Sequence, residues 1–339
     1  MTIKVAINGF GRIGRQLLQA GYKDPEIEWV AVNDMSDPQT LAHLLKYDSI
    51  YGKFDAEIRS GPDFLEINGK RIQVLNCIDP IQLPWKKLGI DVVAECTGKF
   101  TERDGAQKHL TAGARYVLVS APCKGADLTI VIGANENKFT KDHNVVSNGS
   151  CTTNCIVHLA KVLHESFGIE KGYMTTVHAY TADQKLVDAP HKDLRRARAA
   201  AVSIIPTTTG AAKTVGEVFP ELKGKLDGMA LRVPVPDGSI AVLTAKLKKK
   251  TKVEEVNIAF KNAAEGKLRG ILEYSQEPLV SRDILKNPHS CIFDSLSTSV
   301  TDDDLVTVCG WYDNEWGFSC RMIDTIKLMG KKEKGTKKP

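Results

Sequence analysis

This sequence begins with a short apolar strand that runs directly into a glycine-rich turn. Residues 5–14 read VAINGFGRIG, so three glycines at the spacing G-x-G-x-x-G follow the strand and precede an amphipathic segment. This arrangement constrains the fold, because it is typical of a strand that passes into a helix and returns as a parallel neighbouring strand. Short apolar strands and amphipathic segments continue to alternate up to about residue 150. Their order predicts right-handed crossovers and a doubly wound parallel sheet.

The second part of the chain has a different pattern. From about Tyr173 the apolar runs are longer and partly alternate with polar residues, which is typical of a mixed, largely antiparallel sheet with one covered face. A chain of 339 residues is also long for one hydrophobic core. We therefore predict an α/β protein in which a doubly wound parallel-sheet domain precedes an α+β domain. The predicted strands are 3–8, 27–33, 71–76, 90–96, 116–120, 128–133, 144–147, 174–178, 229–233, 239–247 and 305–309, and the predicted helices lie near 12–22, 38–47, 102–111, 152–166, 210–218, 253–265 and 319–329.

The composition excludes several classes of protein. An apolar share of 42% and a charged share of 26% are those of an ordinary folded protein. The net charge of +5 is small and comes partly from the lysine-rich end 330–338, so a dedicated nucleic-acid-binding protein is not indicated. No apolar run reaches the roughly 18 residues of a membrane span, and residues 3–7 enter a strand without a signal-peptide pattern. The cytoplasm is the expected compartment.

Eight cysteines raise the question of disulfides and metals. Without an export signal they are expected to be reduced thiols. Cys151, Cys155 and His158 lie close together in the sequence, but no C-x-x-C pair or fourth ligand nearby completes a usual zinc spacing. No metal site is predicted.

The glycine turn is the candidate dinucleotide site. Gly9, Gly11 and Gly14 allow a tight turn and close backbone approach, and the helix N terminus offers N–H groups to a pyrophosphate. Asp34 follows the next strand about 20 residues past the third glycine, where a carboxylate accepts hydrogen bonds from the adenosine ribose. Its charge favours NAD over NADP, because a 2′-phosphate would meet like charge. The alternative is a purely structural turn with a helix cap at Asp34.

A candidate nucleophile lies in residues 147–155, which read SNGSCTTNC. Cys151 stands between a glycine-containing turn and a predicted helix start, where a helix N terminus lowers the thiol pKa and favours the thiolate. The chemistry of a cysteine also needs a proton acceptor. His178 ends a predicted strand and precedes a polar loop, and strand ends are where ligands gather in α/β proteins. A buried structural histidine is the alternative, since the sequence does not show that the two residues meet.

Side chains that suit oxyanions recur around these positions. Two separable groups would fit two phosphates, although residues 207–210 also suit an ordinary helix-capping turn. The polar loop 181–207 is unusually long and is predicted to be functional or interfacial, with a plain surface loop as the alternative. The candidate residues are Ser150, Thr152, Thr181, Thr208, Thr209, Arg196 and Arg232.

Over nearly its whole length the chain resembles phosphorylating glyceraldehyde-3-phosphate dehydrogenase. The resemblance implies that Cys151 attacks the aldehyde of glyceraldehyde 3-phosphate, that His178 is the base, and that hydride passes to NAD. It further implies that inorganic phosphate releases 1,3-bisphosphoglycerate from the thioester, and that the reverse reaction serves gluconeogenesis. The segments that carry the resemblance are 8–15 (NGFGRIGR), 45–49 (LKYDS), 147–154, 205–213 (IPTTTGAAK) and 311–317 (WYDNEWG).

Position by position, the resemblance implies further roles. The loop 181–207 resembles the segment through which subunits of a homotetramer complete each other's cofactor sites, and the last helix is expected to return to the first domain. The cofactor domain is then 1–150 with about 316–339, and the catalytic domain is 151–315. Thr181 and Arg232 hold the substrate phosphate, while Ser150, Thr152, Thr209, Gly210 and Arg196 hold the attacking phosphate. Gly9, Gly11, Arg12, Ile13, Gly14, Asp34, Thr97, Ser120 and Asn314 bind the cofactor, Asn314 at the nicotinamide carboxamide.

Two departures from the family pattern bear on the cofactor. Ala182 stands where many NAD-specific members have asparagine, and Ala189 precedes Pro190 where they often have leucine. Alanine at these positions removes bulk near the adenosine ribose of the next subunit. This weakens the argument that the charge of Asp34 restricts the protein to NAD. The expectation is NAD preference or dual use, with NADP as the alternative cofactor.

Two other functions are alternatives to this interpretation. Erythrose-4-phosphate dehydrogenase shares the cysteine chemistry but releases its product by hydrolysis, and the retention of both phosphate groups, Arg196 with Thr209 above all, favours the phosphorylating reaction. A nucleic-acid-binding protein is the rival from another class, and a nucleophile with a poised base has no purpose there.

Overall fold

The computed structural model describes residues 2–331 of the chain. The lysine-rich end, which the sequence analysis treats as a frayed tail, lies outside the described residues from 332 onward. The described residues form two units. The first unit contains the residues up to Ile130, Glu136–Gly149 and the residues from Ser319, and the second contains Val131–Asn135 and Ser150–Phe318.

The elements follow in chain order. The strands of the first unit are β1 Ile3–Asn8, β2 Ile27–Asn33, β3 Tyr47–Asp48, β4 Gly52–Lys53, β5 Ile58–Ser60, β6 Phe64–Ile67, β7 Lys70–Leu75, β8 Val92–Glu95, β9 Tyr116–Val119, β10 Leu128–Thr129 and β11 Val145–Ser147. Those of the second unit are β12 Ile169–Ala179, β13 Ile205–Thr208, β14 Leu226–Val233, β15 Ser239–Leu247, β16 Leu272–Ser275, β17 Cys291–Thr301 and β18 Leu305–Tyr312. The α-helices are α1 Arg12–Gly21, α2 Pro38–Lys46, α3 Trp85–Leu88, α4 Arg103–Ala106, α5 Lys108–Thr111, α6 Cys151–Phe167, α7 Ala211–Val218, α8 Val253–Glu265 and α9 Trp316–Lys331. Short 3-10 turns occur at Pro80–Gln82, Glu136–Lys138, Ala200–Val202 and Pro220–Leu222.

The first unit is built on a nine-stranded sheet in the order β10-β11-β9-β8-β1-β2-β7-β6-β5. All neighbours from β10 to β7 are parallel, and the order departs in both directions from β1, which confirms the predicted doubly wound sheet. Its central strands are buried, because the apolar runs of β1, β8 and β9 are covered on both faces. The carboxyl ends of β1, β2 and β8 consequently lie side by side, where a ligand site is expected.

One part of this sheet was missed by the sequence analysis. The antiparallel strands β5 and β6 extend its edge beyond β7. They are only three and four residues long and partly charged, so neither shows an apolar period. Asn68 and Gly69, both with positive φ, form the two-residue turn from β6 into β7. Asn-Gly is a preferred dipeptide of two-residue hairpin turns, so the sequence does contain a local indication of this hairpin. The helix predicted at 102–111 is also divided, into α4 and α5.

The second unit contains a seven-stranded mixed sheet in the order β13-β14-β12-β15-β18-β17-β16. The pairs β12–β14 and β16–β17 are parallel and the other neighbours are antiparallel, which confirms the predicted mixed, largely antiparallel sheet. Strand β15 alternates between buried and half-buried residues along its whole length. Its buried side belongs to the same apolar core as α6, α7 and α8, so one face of the sheet is covered by helices.

The end of α9 is held in the first unit by ion pairs. Lys327 Nζ lies 2.9 Å from both Asp24 Oδ2 and Glu26 Oε1, and Lys331 Nζ lies 3.0 Å from Glu26 Oε2. The hydrogen bonds from Lys327 and Lys331 lower the pKa of Glu26 to about 2. Within residues 2–331 none of the helices combines the length and the hydrophobicity that crossing a membrane requires.

Candidate active site

The glycine turn of the first unit forms the floor of a groove. Gly9 has φ +90°, and a Cβ on it would lie 2.7 Å from the backbone nitrogen of Thr97, so no other residue fits there without a backbone shift. A Cβ on Gly14 would lie 2.2 Å from the Gly9 carbonyl oxygen, so this glycine lets α1 approach the turn. Gly11 is the N-cap of α1 and provides no side-chain cap, while a Cβ on it would meet nothing within 4 Å. The helix start therefore presents bare backbone to the groove.

The groove has a volume of about 460 Å³ and is lined by several of the predicted cofactor residues. Gly9, Gly11, Asp34 and Thr97 line it, whereas Arg12, Ile13, Gly14 and Ser120 are not among its lining residues. The two oxygens of Asp34 accept hydrogen bonds from Phe10 N (2.8 Å) and Ser36 N (3.0 Å), so this carboxylate also holds the glycine turn.

Arg12 is directed elsewhere by an ion pair. Its guanidinium Nη1 lies 3.1 Å from Asp48 Oδ2, and its Nη2 donates to Asp48 Oδ1 at 3.3 Å. The Ser120 backbone N–H donates to the carbonyl oxygen of Glu95 at 3.0 Å. Glu95 precedes the groove residue Thr97 by two positions in the chain.

A buried polar network beneath the groove was missed by the sequence analysis. The Trp85 indole N–H donates to His109 Nδ1 (3.0 Å), which leaves the proton of the neutral ring on Nε2, 3.1 Å from Glu95 Oε2. Asn8 Nδ2 also donates to Glu95 Oε2 (2.6 Å), and the N–H and hydroxyl of Thr97 donate to Oε1. Every partner of Glu95 is a donor, so the carboxylate is an acceptor throughout. The network fixes the Thr97 backbone that lines the groove.

The candidate nucleophile is the first residue of α6. Gly149, with φ +65°, makes the turn before the helix, and Ser150 is the N-cap, its Oγ accepting from Thr153 N at 3.0 Å. The thiol of Cys151 thus lies in the first turn of a 17-residue helix, whose N–H groups point towards the helix start. The Thr152 backbone N–H is one of the donors to the sulfur.

The structure brings Cys151 and His178 together. Cys151 Sγ lies 3.3 Å from His178 Nε2, and His178 is buried near the end of β12. In the parallel pairing of β12 with β14, His178 is opposite Arg232, and Arg232 is in turn opposite Ile205 of β13. Strand register therefore places the guanidinium beside the imidazole. Arg232 Nη1 lies 2.8 Å from His178 Nδ1.

Burial changes the protonation expected from the sequence. It raises the pKa of the Cys151 thiol to about 11, although the charge of Arg232 and the hydrogen bonds of Thr152 act in the opposite direction. Burial, followed by the charge of Arg232, lowers the pKa of His178 to about 3. The lowered thiol pKa predicted from the helix N terminus is therefore wrong for this arrangement, because desolvation of the sulfur outweighs the dipole.

Arg232 and its neighbours form a cluster of donors on the far side of His178. Arg232 Nη1 donates to Thr181 Oγ1 at 3.2 Å, and the Thr181 hydroxyl donates to Asp183. Arg196 donates to Asp183 Oδ2 at 2.6 Å and to Thr207 Oγ1 at 3.0 Å. The buried Nε of Arg232 and the amide nitrogen of Gln184 have no hydrogen-bond partner among the described residues.

The other residues predicted to bind the attacking phosphate have local partners. The Ser150 hydroxyl caps α6, and Thr209 Oγ1 accepts from Ala211 N at 3.2 Å at the start of α7. Gly210 precedes that helix, and a Cβ on it would meet nothing within 4 Å. The Thr152 hydroxyl is buried against the Tyr312 hydroxyl at 2.9 Å. Thr152 is therefore directed into the protein.

Asn314, the predicted nicotinamide contact, is held within the second unit. Its Oδ1 accepts from Ser239 Oγ at 2.7 Å and from Gly238 N at 3.2 Å. Among residues 2–331, no group of three or more histidine, cysteine, aspartate or glutamate side chains is arranged to hold a metal ion.

Comparison with known proteins agrees with both halves of this description. Residues 3–103 match the family model described as glyceraldehyde 3-phosphate dehydrogenase, NAD binding domain, and residues 150–314 match the one described as glyceraldehyde 3-phosphate dehydrogenase, C-terminal domain. The chain is 58% identical over 333 residues to glyceraldehyde-3-phosphate dehydrogenase of Geobacillus stearothermophilus, which covers 98% of this chain and 99% of the relative. It is 56% identical over 328 residues to glyceraldehyde-3-phosphate dehydrogenase 2 of Bacillus subtilis, covering 96% of each. Similarity of this extent runs along nearly the whole of each chain, and the chain belongs to the glyceraldehyde-3-phosphate dehydrogenase family.

Proposed function

We propose that this chain oxidises the aldehyde of glyceraldehyde 3-phosphate and phosphorylates the product to 1,3-bisphosphoglycerate. The observation that carries the proposal is the contact of 3.3 Å between Cys151 Sγ, at the start of a helix, and His178 Nε2. The chain is an NAD-dependent dehydrogenase, and the reaction is a step of glycolysis that gluconeogenesis uses in reverse. Neither rival function is favoured by its relatives, which are named as dehydrogenases of glyceraldehyde 3-phosphate.

The first unit has the features that NAD requires. The bare helix start at Gly11 suits a pyrophosphate, and Asp34 at the end of β2 lies in the same groove for the ribose hydroxyls. When bound, NAD⁺ accepts the hydride of the substrate at C4 of the nicotinamide. We assign Gly9, Gly11, Asp34 and Thr97 to the groove.

The remaining cofactor assignments stay with the family pattern. Asn314 is proposed to contact the nicotinamide carboxamide, and its Oδ1 is held in place by Ser239 and Gly238. The other proposed contacts are Arg12, Ile13, Gly14 and Ser120.

The residues of the second unit carry the covalent chemistry. Cys151 Sγ attacks the aldehyde carbon while its proton passes to His178 Nε2, and the N–H groups of the helix start lie near the oxygen that becomes charged. Loss of hydride from that carbon leaves a thioester on Cys151. Inorganic phosphate then attacks the thioester carbonyl, and the sulfur leaves. Exclusion of water preserves the thioester until phosphate arrives.

We assign the phosphate of the substrate to Arg232 and Thr181. The support is the buried Arg232 Nε, which has no hydrogen-bond partner among the described residues and can donate to an anion together with a terminal nitrogen of the same fork. The attacking phosphate is assigned to Ser150, Thr152, Thr209, Gly210 and Arg196. The Thr152 hydroxyl also lies 2.9 Å from the Tyr312 hydroxyl, and Thr152 hydrogen-bonds to Cys151.

Omission of inorganic phosphate tests the overall reaction. With glyceraldehyde 3-phosphate and NAD but no phosphate or arsenate, we expect one burst of NADH per active site followed by a steady rate at least about tenfold lower than with phosphate, because the thioester then has only water as acceptor. Stopped-flow absorbance measures both phases. Equal steady rates with and without phosphate would favour a hydrolysing enzyme such as erythrose-4-phosphate dehydrogenase.

The cofactor assignment predicts a preference for NAD. We expect kcat/KM for NAD to exceed that for NADP by about tenfold or more, because the Asp34 carboxylate repels a 2′-phosphate at the ribose. Steady-state kinetics with both cofactors measure the ratio, and Asp34→Ala should reduce it. A matched substitution outside the groove, Asp142→Ala, should leave it unchanged. A strong preference of the unsubstituted protein for NADP contradicts the role given to Asp34.

We also propose that the protein acts as a cytoplasmic homotetramer. The loop 181–207 exposes several large apolar side chains, which suit burial against a second copy of the chain. The reactive thiol and the seven other thiols suit a reducing compartment. The proposed domains are 1–150 with about 316–339 for the cofactor and 151–315 for catalysis. The exposed apolar residues of the loop are Leu186, Val187, Leu194, Val202 and Ile204.

A further inference from the structure

Three buried polar side chains form a continuous line of hydrogen bonds across the base of the cofactor groove. Asn8, at the end of β1, is opposite Asn33 of β2 on one side and Glu95 of β8 on the other. Asn33 Nδ2 donates to Asn8 Oδ1 at 2.7 Å, and Asn8 Nδ2 donates to Glu95 Oε2 at 2.6 Å. We refer to Asn8, Asn33 and Glu95 as the polar brace. It crosses three neighbouring strands at their carboxyl ends.

The polar brace holds backbone on both walls of the groove. At one end, Glu95 Oε1 accepts from the backbone N–H of Thr97 at 2.8 Å and from its hydroxyl. At the other end, the Cys77 N–H donates to Asn33 Oδ1 and Asn33 Nδ2 donates to the Cys77 carbonyl, both at 2.9 Å. Thr97 follows β8, Cys77 follows β7, and both residues line the groove. Side chains therefore connect the two walls.

The acceptor character of Glu95 sets the direction of every bond in the polar brace. A carboxylate that only accepts requires Asn8 to present Nδ2 to it and Oδ1 to Asn33. Asn33 must then present Nδ2 to Asn8, which leaves its Oδ1 for the N–H of Cys77. Reversal of either amide would bring two donors or two acceptors together. The orientation imposed by Glu95 thus extends to the backbone of Cys77 on the opposite wall.

His109 and Trp85 support Glu95 from below. The Trp85 indole N–H occupies His109 Nδ1, so the proton of the neutral ring is on Nε2 and points at Glu95 Oε2. Both residues are buried, and neither of them nor Glu95 is among the lining residues of the groove. Their effect on a bound nucleotide would therefore pass through the polar brace.

We propose that the polar brace couples the two walls of the cofactor groove, and that Glu95 and His109 are positioning residues for NAD. Asp34, assigned to the adenosine ribose, directly follows Asn33 and lies on the wall that Cys77 belongs to. A change at Glu95 should consequently weaken binding at the adenosine wall, although β8 and β2 are separated by β1. The coupling rests on the proposed function, because it takes the adenosine of NAD to bind at Asp34.

The first test is Glu95→Gln, which keeps the shape of the side chain but adds a donor. In either orientation its amide nitrogen faces donors, from Asn8 and His109 on one side or from Thr97 on the other. We expect Kd to rise about tenfold for NAD and about fivefold for AMP, which carries only the adenosine end, because mismatched buried donors are costly. Isothermal titration calorimetry of the full-length protein measures both values.

Steady-state kinetics separate positioning from general damage. At saturating NAD, kcat and KM for glyceraldehyde 3-phosphate of Glu95→Gln should stay within about twofold of the unsubstituted protein, because Cys151 and His178 belong to the second unit. The matched control Glu28→Gln replaces an exposed carboxylate near the start of β2 and should leave both Kd values unchanged.

Thr97→Ala provides the comparison with a local change. It removes a hydroxyl from one wall and leaves the hydrogen bonds among Asn8, Asn33 and Glu95 in place. Kd for NAD should rise, whereas Kd for AMP should stay within about twofold of that of the unsubstituted protein.

A pair of substitutions at His109 tests the coupling independently of the folding of Glu95→Gln. Glutamine can donate to Glu95 and accept from Trp85, as the neutral imidazole does, whereas methionine of similar length cannot donate. We expect His109→Met to raise Kd for both NAD and AMP about threefold or more, and His109→Gln to stay within about twofold. A role limited to filling space would affect the two variants alike, and equal Kd values for them would contradict the proposal.

The outcomes separate the coupling from the proposed function. If Glu95→Gln binds NAD and AMP like the unsubstituted protein, or loses affinity for NAD alone, the coupling is wrong and the proposed function stands. A fall in kcat as large as the loss of NAD affinity would also overturn it, because the damage would then be general. If AMP does not compete with NAD in the unsubstituted protein, or if Asp34→Ala leaves Kd for AMP unchanged, the groove assignment of the proposed function fails.

Discussion

Replacement of Cys151 by serine is expected to abolish dehydrogenase turnover. The fall in kcat should be at least about 10⁴-fold, because the hydroxyl of serine is a far weaker nucleophile than a thiolate. The substitution keeps the size of the side chain at the start of α6 and leaves the glycine turn of the first unit untouched. NAD affinity should therefore stay within about twofold of the unsubstituted protein. Steady-state kinetics and calorimetric titration of NAD measure the two quantities.

Cys155→Ala is the matched control for this prediction. Cys155 lies one turn further along the same helix, is fully buried in the core and donates weakly to the Gly310 carbonyl at 3.5 Å. Replacement of this thiol by a methyl group should leave kcat nearly unchanged. It should lower the free energy of unfolding only by the amount that a small cavity costs. Mass spectrometry of protein quenched during turnover should find the acyl group on Cys151. Turnover that survives in Cys151→Ser, or an acyl group on another cysteine, would exclude Cys151 as the nucleophile.

Replacement of His178 by asparagine should lower kcat by about 10²- to 10⁴-fold, the usual contribution of a positioned base. Asparagine can hydrogen-bond but cannot take the proton of the thiol. Its burst rate should therefore depend on pH only through spontaneous ionisation of Cys151, and should rise as the pH approaches the raised pKa of that thiol, about 11. The unsubstituted protein should reach its plateau at lower pH, because the imidazole removes the proton.

The control for this second prediction is His43→Asn, which replaces an exposed histidine of α2. It should retain both the rate and the pH profile of the unsubstituted protein. Stopped-flow bursts between about pH 5 and pH 10 measure the profiles. Identical profiles for His178→Asn and the unsubstituted protein would show that His178 is not the base.

Much of the fold was predictable because its signals are local. The strands β1, β2 and β15 and the helices α1, α2 and α8 lie within a residue or two of their predicted bounds, since each has a clear apolar period and punctuation by glycine, proline or polar residues. The missed strands β5, β6 and β16 are three or four residues long, and β17 has an irregular register between Asp294 and Ser299. Such strands form because an adjacent strand supplies backbone hydrogen bonds, and no local sequence pattern indicates this pairing.

The buried network of Glu95, His109 and Asn8 illustrates the same limit at the groove. Asn8 and Glu95 are 87 residues apart in the chain, and their contact follows from the parallel pairing of β1 with β8. Asn8 and Glu95 end apolar strands and His109 lies in the short helix α5, and the three residues form no sequence motif. Their role could be recognised only after the order of the strands was known.

The chain alone determined which chemical groups are present and which of them start helices or end strands. The glycines of the first turn, Asp34, Cys151 and His178 were identified because short-range sterics and helix starts leave a readable pattern. The tertiary structure decided what these groups can do to one another. Pairing of β12 with β14 brings Arg232 against His178, a residue 54 positions away, and burial reverses the direction of the thiol pKa that the helix start predicted. Distance and desolvation depend on the whole packed chain, whereas propensity depends on neighbours in the sequence.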